Sequence, residues 1–209
     1  MMKLASEGYP YIIIFAATTI VALLLGGKWM VIVPFVITVF MVYFFRDPER
    51  KTPEGEGIFV SPADGKIILI KDIFEKDYLE TDTKQISIFM SPLNVHVNRA
   101  PCDGIVKTVK HTAGGFKAAY RDEASLTNEN IVMVIEGKQG SILVRQVAGF
   151  IARRAVCRAK VGDSLNRGQR YGIIKFSSRL DVYLPKETAI KVKSGDRVKA
   201  GETIIGVIK

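Results

Sequence analysis

The sequence contains Gly162-Asp-Ser-Leu-Asn-Arg-Gly168 and, 33 residues later, the similar stretch Gly195-Asp-Arg-Val-Lys-Ala-Gly201. A second repeated pair precedes it, because Pro62-Ala-Asp-Gly-Lys-Ile67 returns 39 residues later as Pro101-Cys-Asp-Gly-Ile-Val106. An Asp-Gly pair followed by β-branched residues is typical of a tight turn that leads into a strand. The two duplications therefore predict a β structure built from repeated hairpins.

Short apolar runs rich in β-branched residues extend this β character along the chain from Ile58 onward. Clusters of Gly, Asp, Asn and Pro separate the runs, as expected between strands. The pattern G-D-x-[LV]-x-x-G also resembles the half-motif of biotinyl/lipoyl-type hybrid folds. We predict a mainly β sandwich or barrel over residues 58–209, with strands near 66–70, 85–90, 105–109, 131–136, 141–147, 172–176 and 204–208.

The N-terminal part differs, since residues 9–25 and 29–45 are two runs of 17 residues without a charge. As a helix, each run is about 26 Å long, close to the roughly 30 Å hydrocarbon core of a bilayer. Runs that are apolar on every face suit lipid better than the surface of a one-sided core. We predict a transmembrane helical hairpin over residues 1–45; a buried hairpin in a soluble core is the alternative.

Basic residues beside the second run indicate its orientation. Arg46, Arg50 and Lys51 follow this run, so the positive-inside rule predicts that the remainder of the chain lies on the cytoplasmic face of the cell membrane. Lys28 in the turn argues weakly against this orientation, and a hairpin confined to one leaflet remains open. Residues 46–57 are polar and contain proline, which predicts a linker.

The net charge of +9 indicates an acidic partner. Many of the basic residues lie between 153 and 179, and a basic domain beside a bilayer is attracted to anionic lipids. A merely solvated basic face is the alternative. Nucleic acid is not predicted as a partner, because aromatic residues do not alternate with the basic ones as in a stacking platform.

Few residues offer obvious chemistry. The chain has no Gly-rich phosphate loop and no G-x-S-x-G motif, and its two histidines are His96 and His111. Cys102 and Cys157 are isolated, so neither a metal site nor a disulfide framework is predicted. Asp64 lies in an Asp-Gly turn, where aspartate is common for backbone reasons alone.

Six segments, taken together and in this order, resemble the phosphatidylserine decarboxylase family, specifically its short two-span subclass. The resemblance covers essentially all of residues 46–209. The segments are Ser61-Pro-Ala-Asp-Gly-Lys66, Ser91-Pro-Leu-Asn-Val-His-Val-Asn-Arg-Ala-Pro101, Gly115-Phe, Asn128-Glu-Asn130, Gly149-Phe-Ile-Ala-Arg-Arg154 and Tyr171-Gly-Ile-Ile-Lys-Phe-Ser-Ser-Arg-Leu-Asp-Val-Tyr-Leu-Pro185.

The resemblance implies a proenzyme that cuts its own chain. Ser178 would attack the carbonyl of residue 177, divide the chain into 1–177 and 178–209, and remain as an N-terminal pyruvoyl cofactor. Asp64 and His96 match the family residues that activate this serine, in a Ser-His-Asp arrangement. His96 would also return a proton to the product.

Two positions depart from the family pattern. Ser177 stands where the family has glycine, which admits backbone angles that other residues resist; it could slow or block cleavage. It also makes the register ambiguous, but Arg179 and Asp181 align Ser178 with the family nucleophile. Leu93 stands where longer members carry an additional histidine, as expected for the short subclass.

The implied reaction converts phosphatidylserine to phosphatidylethanolamine. Candidate ligands for the lipid phosphate are backbone amides within 112–130 and Arg153 or Arg154, each equally compatible with a solvated surface group. Phe116 and Tyr120 could face the acyl chains. A homodimer remains open. A membrane-tethered biotinyl/lipoyl-like carrier or an adaptor without catalysis is the alternative, although the carrier's characteristic lysine beside methionine is missing between the repeats.

Overall fold

A computed structural model describes residues 3–115, 128–149, 154–176 and 178–208. The chain divides into two compact units, one ending at Glu49 and the other beginning at Arg50.

The first unit contains two apolar helices in its described part. They are α1 (Tyr9–Leu24) and α2 (Lys28–Phe44), preceded by a short 3-10 helix (Ser6–Gly8) and flanked by the paired strands β1 (Lys3–Leu4) and β2 (Arg46–Asp47). α2 continues through Pro34, whose carbonyl accepts a 2.7 Å hydrogen bond from the Thr38 hydroxyl. The helices therefore lie on the two uncharged runs of the sequence.

One helical stretch among the described residues, Ser6–Leu24, is long and apolar enough to cross a membrane. The second apolar helix, Trp29–Phe44, is shorter. Large apolar side chains on both are exposed, with Leu24 at 80% and Trp29 at 85%. By length and composition, this unit is suited to membrane association.

The second unit is formed mainly by strands, so the predicted mainly β class is confirmed. The strands described are β3 (Ile58–Val60), β4 (Gly65–Glu75), β5 (Thr81–Met90), β6 (Val97–Arg99), β7 (Gly104–Thr112), β8 (Asn130–Gly137), β9 (Gly140–Ala148), β10 (Ala155–Cys157), β11 (Ser164–Leu165), β12 (Arg170–Ile174), β13 (Ser178–Pro185), β14 (Ala189–Ile190), β15 (Arg197–Val198) and β16 (Ile204–Val207).

Three sheets organise these strands in the described part of the second unit. The largest is a curled half-barrel of eight strands in the order β11-β7-β8-β9-β13-β5-β4-β15. The other two have three strands each, in the orders β10-β12-β6 and β14-β16-β3. The likeness to biotinyl/lipoyl-type folds stays a prediction.

The repeated sequence motifs form repeated structure. Gly162 and Gly195 have φ angles of 93° and 96°, a region that favours glycine. The carboxylates of Asp163 and Asp196 each accept a hydrogen bond from the backbone amide of the lysine three residues earlier, at 2.8 and 2.9 Å. The two turns thus share one conformation and one stabilising contact.

Each repeated turn packs against one Asp-Gly repeat. The amide of Gly162 donates to the carbonyl of Val106 and the amide of Gly195 donates to the carbonyl of Ile67, both at 2.8 Å. We call segments 100–106 and 160–169 the inner half, and segments 61–67 and 193–203 the outer half. The inner half is therefore nested in sequence within the outer half.

Both Asp-Gly repeats require glycine for the same reason. A Cβ on Gly65 would lie 2.2 Å from the carbonyl oxygen of Phe89, and one on Gly104 would lie 2.5 Å from that of Glu136. Both distances are far below van der Waals contact, so β4 and β7 can approach the neighbouring strand closely only at a residue without a side chain.

Strand β13 is buried on both faces. Leu180, Val182 and Leu184 belong to the main core. The alternate residues face the other side, where Tyr183 packs with an apolar cluster and Arg179 forms a 2.6 Å ion pair with Asp181. A strand buried on both faces holds its first residue, Ser178, in a fixed position.

Candidate active site

Ser178 begins β13 between two longer strands. It lies opposite Met90 at the end of β5 and opposite Ala148 at the end of β9. The residue is fully buried, and its Oγ lies 3.4 Å from Sδ of Met90. Strand pairing on both sides therefore fixes the backbone that follows the predicted cleavage point.

Asp64 lies at the same end of the large sheet. It directly precedes β4, which runs antiparallel to β5 and pairs Lys66 with Phe89. Because β5 separates β4 from β13, Asp64 and Ser178 flank the end of β5 from opposite sides. Two strand spacings separate their backbones by roughly 10 Å.

The Asp64 carboxylate is buried and held by two donors. Its Oδ2 lies 2.8 Å from Nη2 of Arg50, and its Oδ1 accepts a 2.7 Å hydrogen bond from the amide of Ala200. Arg50 also contacts Glu202 at 3.2 Å. Sequence analysis assigned Arg50 to the linker; the structure places its guanidinium on a candidate catalytic carboxylate.

The duplication provides an internal comparison for Asp64. Its counterpart in the inner half, Asp103, accepts a 2.8 Å hydrogen bond from the amide of Arg167, the position equivalent to Ala200. Asp103 is exposed, whereas Asp64 is 8% exposed. Oδ1 of Asp64 thus makes the same contact with a backbone amide that Asp103 makes in the inner half, which is a structural role. The contact of Oδ2 with Arg50 is the candidate functional contact.

His96 lies fully buried between β5 and β6. Its Nδ1 is 3.0 Å from the carbonyl oxygen of Asn94, which can only accept, so Nδ1 carries the hydrogen and Nε2 presents the basic lone pair. The amide of Ile174 donates to the His96 carbonyl at 3.3 Å, which ties this loop to the segment before Ser178. The tautomer suits Nε2 for accepting a proton.

A cavity of about 540 Å³ opens beside Asp64 and the turn that holds His96. Asn94 stabilises this turn, because its Oδ1 accepts hydrogen bonds from the amide and hydroxyl of Ser91 at 2.9 and 2.8 Å. Further lining residues are Gly65, Lys66, Phe89, Leu93, Arg197, Val198 and Lys199.

Backbone strain lies just before the candidate nucleophile. Phe176 has a φ of 56°, in the left-handed region that disfavours residues with a Cβ by about 1–2 kcal/mol. Ser177 lies outside the described residues, so the geometry of the bond between residues 177 and 178 is not described.

Comparison with known proteins identifies the family. The family model described as "Phosphatidylserine decarboxylase" matches residues 37–206. The chain is 45% identical over 205 residues to the "Phosphatidylserine decarboxylase proenzyme" of Syntrophus aciditrophicus, covering 97% of this chain and 96% of that protein. The chain belongs to the phosphatidylserine decarboxylase family.

Other relatives of the family match over similar lengths. The proenzyme of Geotalea uraniireducens is 46% identical over 206 residues, and that of Citrifermentans bemidjiense is 49% identical over 212 residues. Both alignments cover 98% of this chain and 96% of the relative. The match therefore includes the region around Ser178 as well as the N-terminal unit.

The remaining predicted site residues are only partly described. Phe116, Tyr120 and Arg153 lie outside the described residues. Arg154 is exposed, and its carbonyl accepts a 3.2 Å hydrogen bond from the amide of Lys175. This contact brings its backbone close to the segment before the predicted cleavage point.

Sequence analysis also missed a chain of polar contacts that leads away from Ser178. Asn98 Nδ2 lies 3.9 Å from Sδ of Met90, the same sulphur that Oγ of Ser178 contacts. Gln146 Nε2 donates to Oδ1 of Asn98 at 2.8 Å. Asn98 lies within one of the family-like segments, two residues after His96, but its partner Gln146 is distant in sequence.

Proposed function

We propose that this chain is a proenzyme that cuts itself between residues 177 and 178 and then decarboxylates phosphatidylserine to phosphatidylethanolamine. The observation that carries the proposal is the position of Ser178. In a member of this family, it begins a strand held on both sides, at the same sheet end as Asp64, and it pairs with Met90, the last residue of β5, after which the chain continues to His96.

His96 acts as the base in the self-cleavage. Its Nε2 takes the hydroxyl proton of Ser178, and Oγ attacks the carbonyl carbon of residue 177. The proton then passes to the departing amide nitrogen of Ser178. The carbonyl of Asn94, which accepts from Nδ1, orients the imidazole, and the carboxylate of Asp64, which lines the same cavity as Asn94, adds negative charge that favours the imidazolium form between these two transfers.

A pyruvoyl group derived from Ser178 supplies an electron sink for the carbanion left by decarboxylation. The described surroundings suit a small, uncharged group, because Ser178 is fully buried beside Met90 and Ala148. Pairing of β13 with β5 and β9 holds the new chain start in place. His96 returns the proton that the product carbon requires.

The membrane anchor presents the catalytic unit to its lipid. Residues 1–45 form a transmembrane hairpin, residues 46–57 a linker and residues 58–209 the catalytic domain, on the cytoplasmic face of an anionic membrane. Arg153, Arg154 and backbone amides within 112–130 bind the lipid phosphate. Phe116 and Tyr120 contact the acyl chains.

Denaturing electrophoresis with mass spectrometry tests this proposal. Purified protein should yield a 32-residue C-terminal piece, residues 178–209, with a blocked, keto-bearing start. Ser178→Ala should remain whole and release no carbon dioxide from phosphatidylserine vesicles. Ser141→Ala, the same change at an exposed serine, is the matched control and should cut normally.

Ser177 requires a second arm of the same experiment. If the native chain cuts slowly, Ser177→Gly should accelerate cutting, because glycine admits more backbone conformations. The proposal would be contradicted if both the native chain and the Ser177→Gly variant remained uncut. It would also be contradicted if an uncut Ser177→Gly chain released carbon dioxide. A carrier or adaptor would remain whole and inactive in every arm.

A further inference from the structure

A buried amide pair lies beneath the candidate nucleophile. Asn98 on β6 and Gln146 on β9 are 0% and 1% exposed, and their hydrogen bond joins a three-stranded sheet to the large sheet. The neighbouring residue in register with Gln146 is Leu180, two positions after Ser178 on the adjacent strand. The amide pair is therefore part of the wall around Ser178.

The hydrogen bonds fix which way both amides point. Gln146 Nε2 lies 3.3 Å from the carbonyl oxygen of Val156, which can only accept, so the nitrogen of Gln146 must be on this side. The same nitrogen donates to Asn98, so Asn98 presents its oxygen to Gln146. The N–H donors of Asn98 are consequently directed at Met90, whose sulphur Oγ of Ser178 also contacts.

Glycine at position 172 makes this arrangement sterically possible. A Cβ there would lie 3.0 Å from Nε2 of Gln146 and 2.3 Å from the carbonyl oxygen of Val156. Both groups that set the amide orientation thus occupy space that a side chain would otherwise fill.

The amide pair has unused hydrogen-bonding capacity, and on the Asn98 side this capacity lies at the Met90 sulphur that Ser178 also contacts. Asn98 Nδ2 faces the Met90 thioether at 3.9 Å, and sulphur is a weak acceptor. Oε1 of Gln146 is buried without a hydrogen-bond partner. Asn98 therefore keeps a donor available for a stronger oxygen acceptor that forms later, whereas Oε1 of Gln146, itself an acceptor, takes no part in that contact.

We propose that Asn98, oriented by Gln146, donates a hydrogen bond to Oγ of Ser178 when this oxygen leaves during formation of the cofactor. This inference rests on the proposed function. Before cleavage, Oγ carries a hydrogen and donates it to Met90. Once acylated, Oγ has no hydrogen and can only accept, and Asn98 directs its N–H at the same sulphur.

The reaction shows where this donor acts. In the first step, the carbonyl carbon of residue 177 moves from the nitrogen of Ser178 to Oγ, which gives an ester and a free amine. Next, Nε2 of His96 takes the Cα proton, the Cβ–Oγ bond breaks, and the electron pair departs on Oγ within the new carboxylate of residue 177. Water then displaces ammonia from Cα. Asn98 stabilises the charge that develops on Oγ.

The test uses Asn98→Asp in the full-length chain, since this change keeps the shape and removes the N–H donors. We expect elimination to slow roughly 100-fold, the typical effect of losing one such donor, while the ester still forms. Hydroxylamine should then cleave the accumulated ester and release a C-terminal piece whose first residue is serine with a free amine. The unaltered chain should give only the blocked piece.

A second variant keeps the test decisive if a buried aspartate prevents folding. Asn98→Leu combined with Gln146→Met replaces both amides by apolar groups, which is often nearly neutral for stability, and it should accumulate the same ester. Asn166→Asp, on the surface, is the control for the chemical change. Thermal denaturation of each precursor identifies any variant that fails to fold.

Three results separate the two proposals. Normal cutting of the folded Asn98 variants, with a blocked start, would overturn the role of Asn98 alone. Whole, hydroxylamine-resistant variants would also overturn it, because Asn98 would then act before the ester exists. If the unaltered and Ser177→Gly chains remain whole, the proposed function fails, and this inference fails with it.

Discussion

Phe176 has a backbone conformation that is unfavourable for most residues, two positions before the candidate nucleophile. Asparagine tolerates φ near 56° far better than a β-branched residue does. We therefore expect Phe176→Asn to cut at a rate close to that of the native chain, and Phe176→Val to cut at least fivefold more slowly. Gel densitometry over time measures both rates, and equal rates for the two variants would contradict a role for this conformation.

Asp64 and Asp103 form a matched pair for mutation. Asn at either position keeps a carboxamide oxygen for the shared turn contact and removes the negative charge. We predict that Asp64→Asn slows self-cleavage by tenfold or more and also lowers the melting temperature, because the largely buried side chain of Arg50 loses a charged partner, whereas Asp103→Asn leaves the cleavage rate and the melting temperature unchanged. A similar loss of cleavage in both variants would indicate a purely structural role for Asp64.

Cys102 should be almost unreactive in the folded protein. Burial, assisted by the neighbouring Asp103, raises the pKa of its thiol from 9.0 to about 12. The thiolate fraction at pH 8 then falls on the order of a thousandfold below that of the unfolded chain, and iodoacetamide labelling with peptide mass spectrometry should show this difference. Rapid labelling of Cys102 in the folded protein would contradict its burial.

The same shift predicts how stability depends on pH. Because the folded pKa of Cys102 exceeds the unfolded value, its contribution is fully present below pH 9 and is lost as the pH rises toward 12. Denaturant titrations at pH 8 and pH 11 should therefore show a smaller decrease in stability for Cys102→Ala than for the native chain.

At the scale of single residues, sequence reasoning found positions but not contacts. The family-like segments contain Ser178, His96 and Asp64 together. The contact between Arg50 and Asp64 could not be predicted from sequence, because arginine next to an apolar run has a sufficient explanation as a membrane-flanking charge. The Asn98–Gln146 contact depends on two sheets meeting, which local patterns do not encode.

Strand β13 depends on a buried ion pair. Nε of Arg179 donates to Asp181 at 2.6 Å, and Nη2 donates to the Ser87 hydroxyl on β5 at 2.9 Å. Removing one charge of a buried pair typically costs about 3–5 kcal/mol. We expect Asp181→Leu to lose stability of this order, measured by urea unfolding of the Ser178→Ala precursor.

A double variant controls for volume at this pair. Arg179→Met with Asp181→Leu removes both charges and should recover much of the stability lost in Asp181→Leu, because no buried charge loses its partner. A double variant as unstable as the single one would show that packing, rather than charge, dominates at this position.

At the scale of elements, the repeats were informative because turns are local. Asp-Gly and Gly-Asp stretches encode their backbone geometry within a few residues, so the sequence predicts duplicated turns. The pairing of each turn with a particular strand depends on residues that are distant in sequence. No local sequence pattern therefore predicts that the inner half is nested within the outer half. The eight-strand order likewise follows from tertiary packing rather than from alternation of apolar residues.

The two pieces expected from the proposed cut between residues 177 and 178 should remain associated. The short piece contributes β13, which pairs along its length with β5 and with β9 of the long piece. We predict that both pieces elute together in size-exclusion chromatography in mild detergent and separate only in denaturant. Elution of a free 178–209 piece from native protein would contradict this prediction.

For the whole molecule, the composition of the sequence predicts the division into two units, but it does not predict the structure of either unit. The uncharged runs 9–25 and 29–45 contrast sharply with the β-rich remainder, and the chain divides between Glu49 and Arg50. Hydropathy reports burial or lipid contact but not which of the two applies. The exposure of Leu24 and Trp29 within the first unit favours lipid.

If the chain is cut between residues 177 and 178 as proposed, the nested halves make the mature enzyme a natural split protein. Both segments of the inner half, 100–106 and 160–169, precede the scission and remain in one polypeptide. The outer half joins 61–67 of the long piece to 193–203 of the short piece, through contacts such as the 2.8 Å bond from Gly195 to Ile67. If the pieces 1–177 and 178–209 were synthesised separately and mixed, activity would therefore depend on re-forming the outer half. The inner half lies within one piece, so it could fold first and serve as the surface on which the outer half assembles.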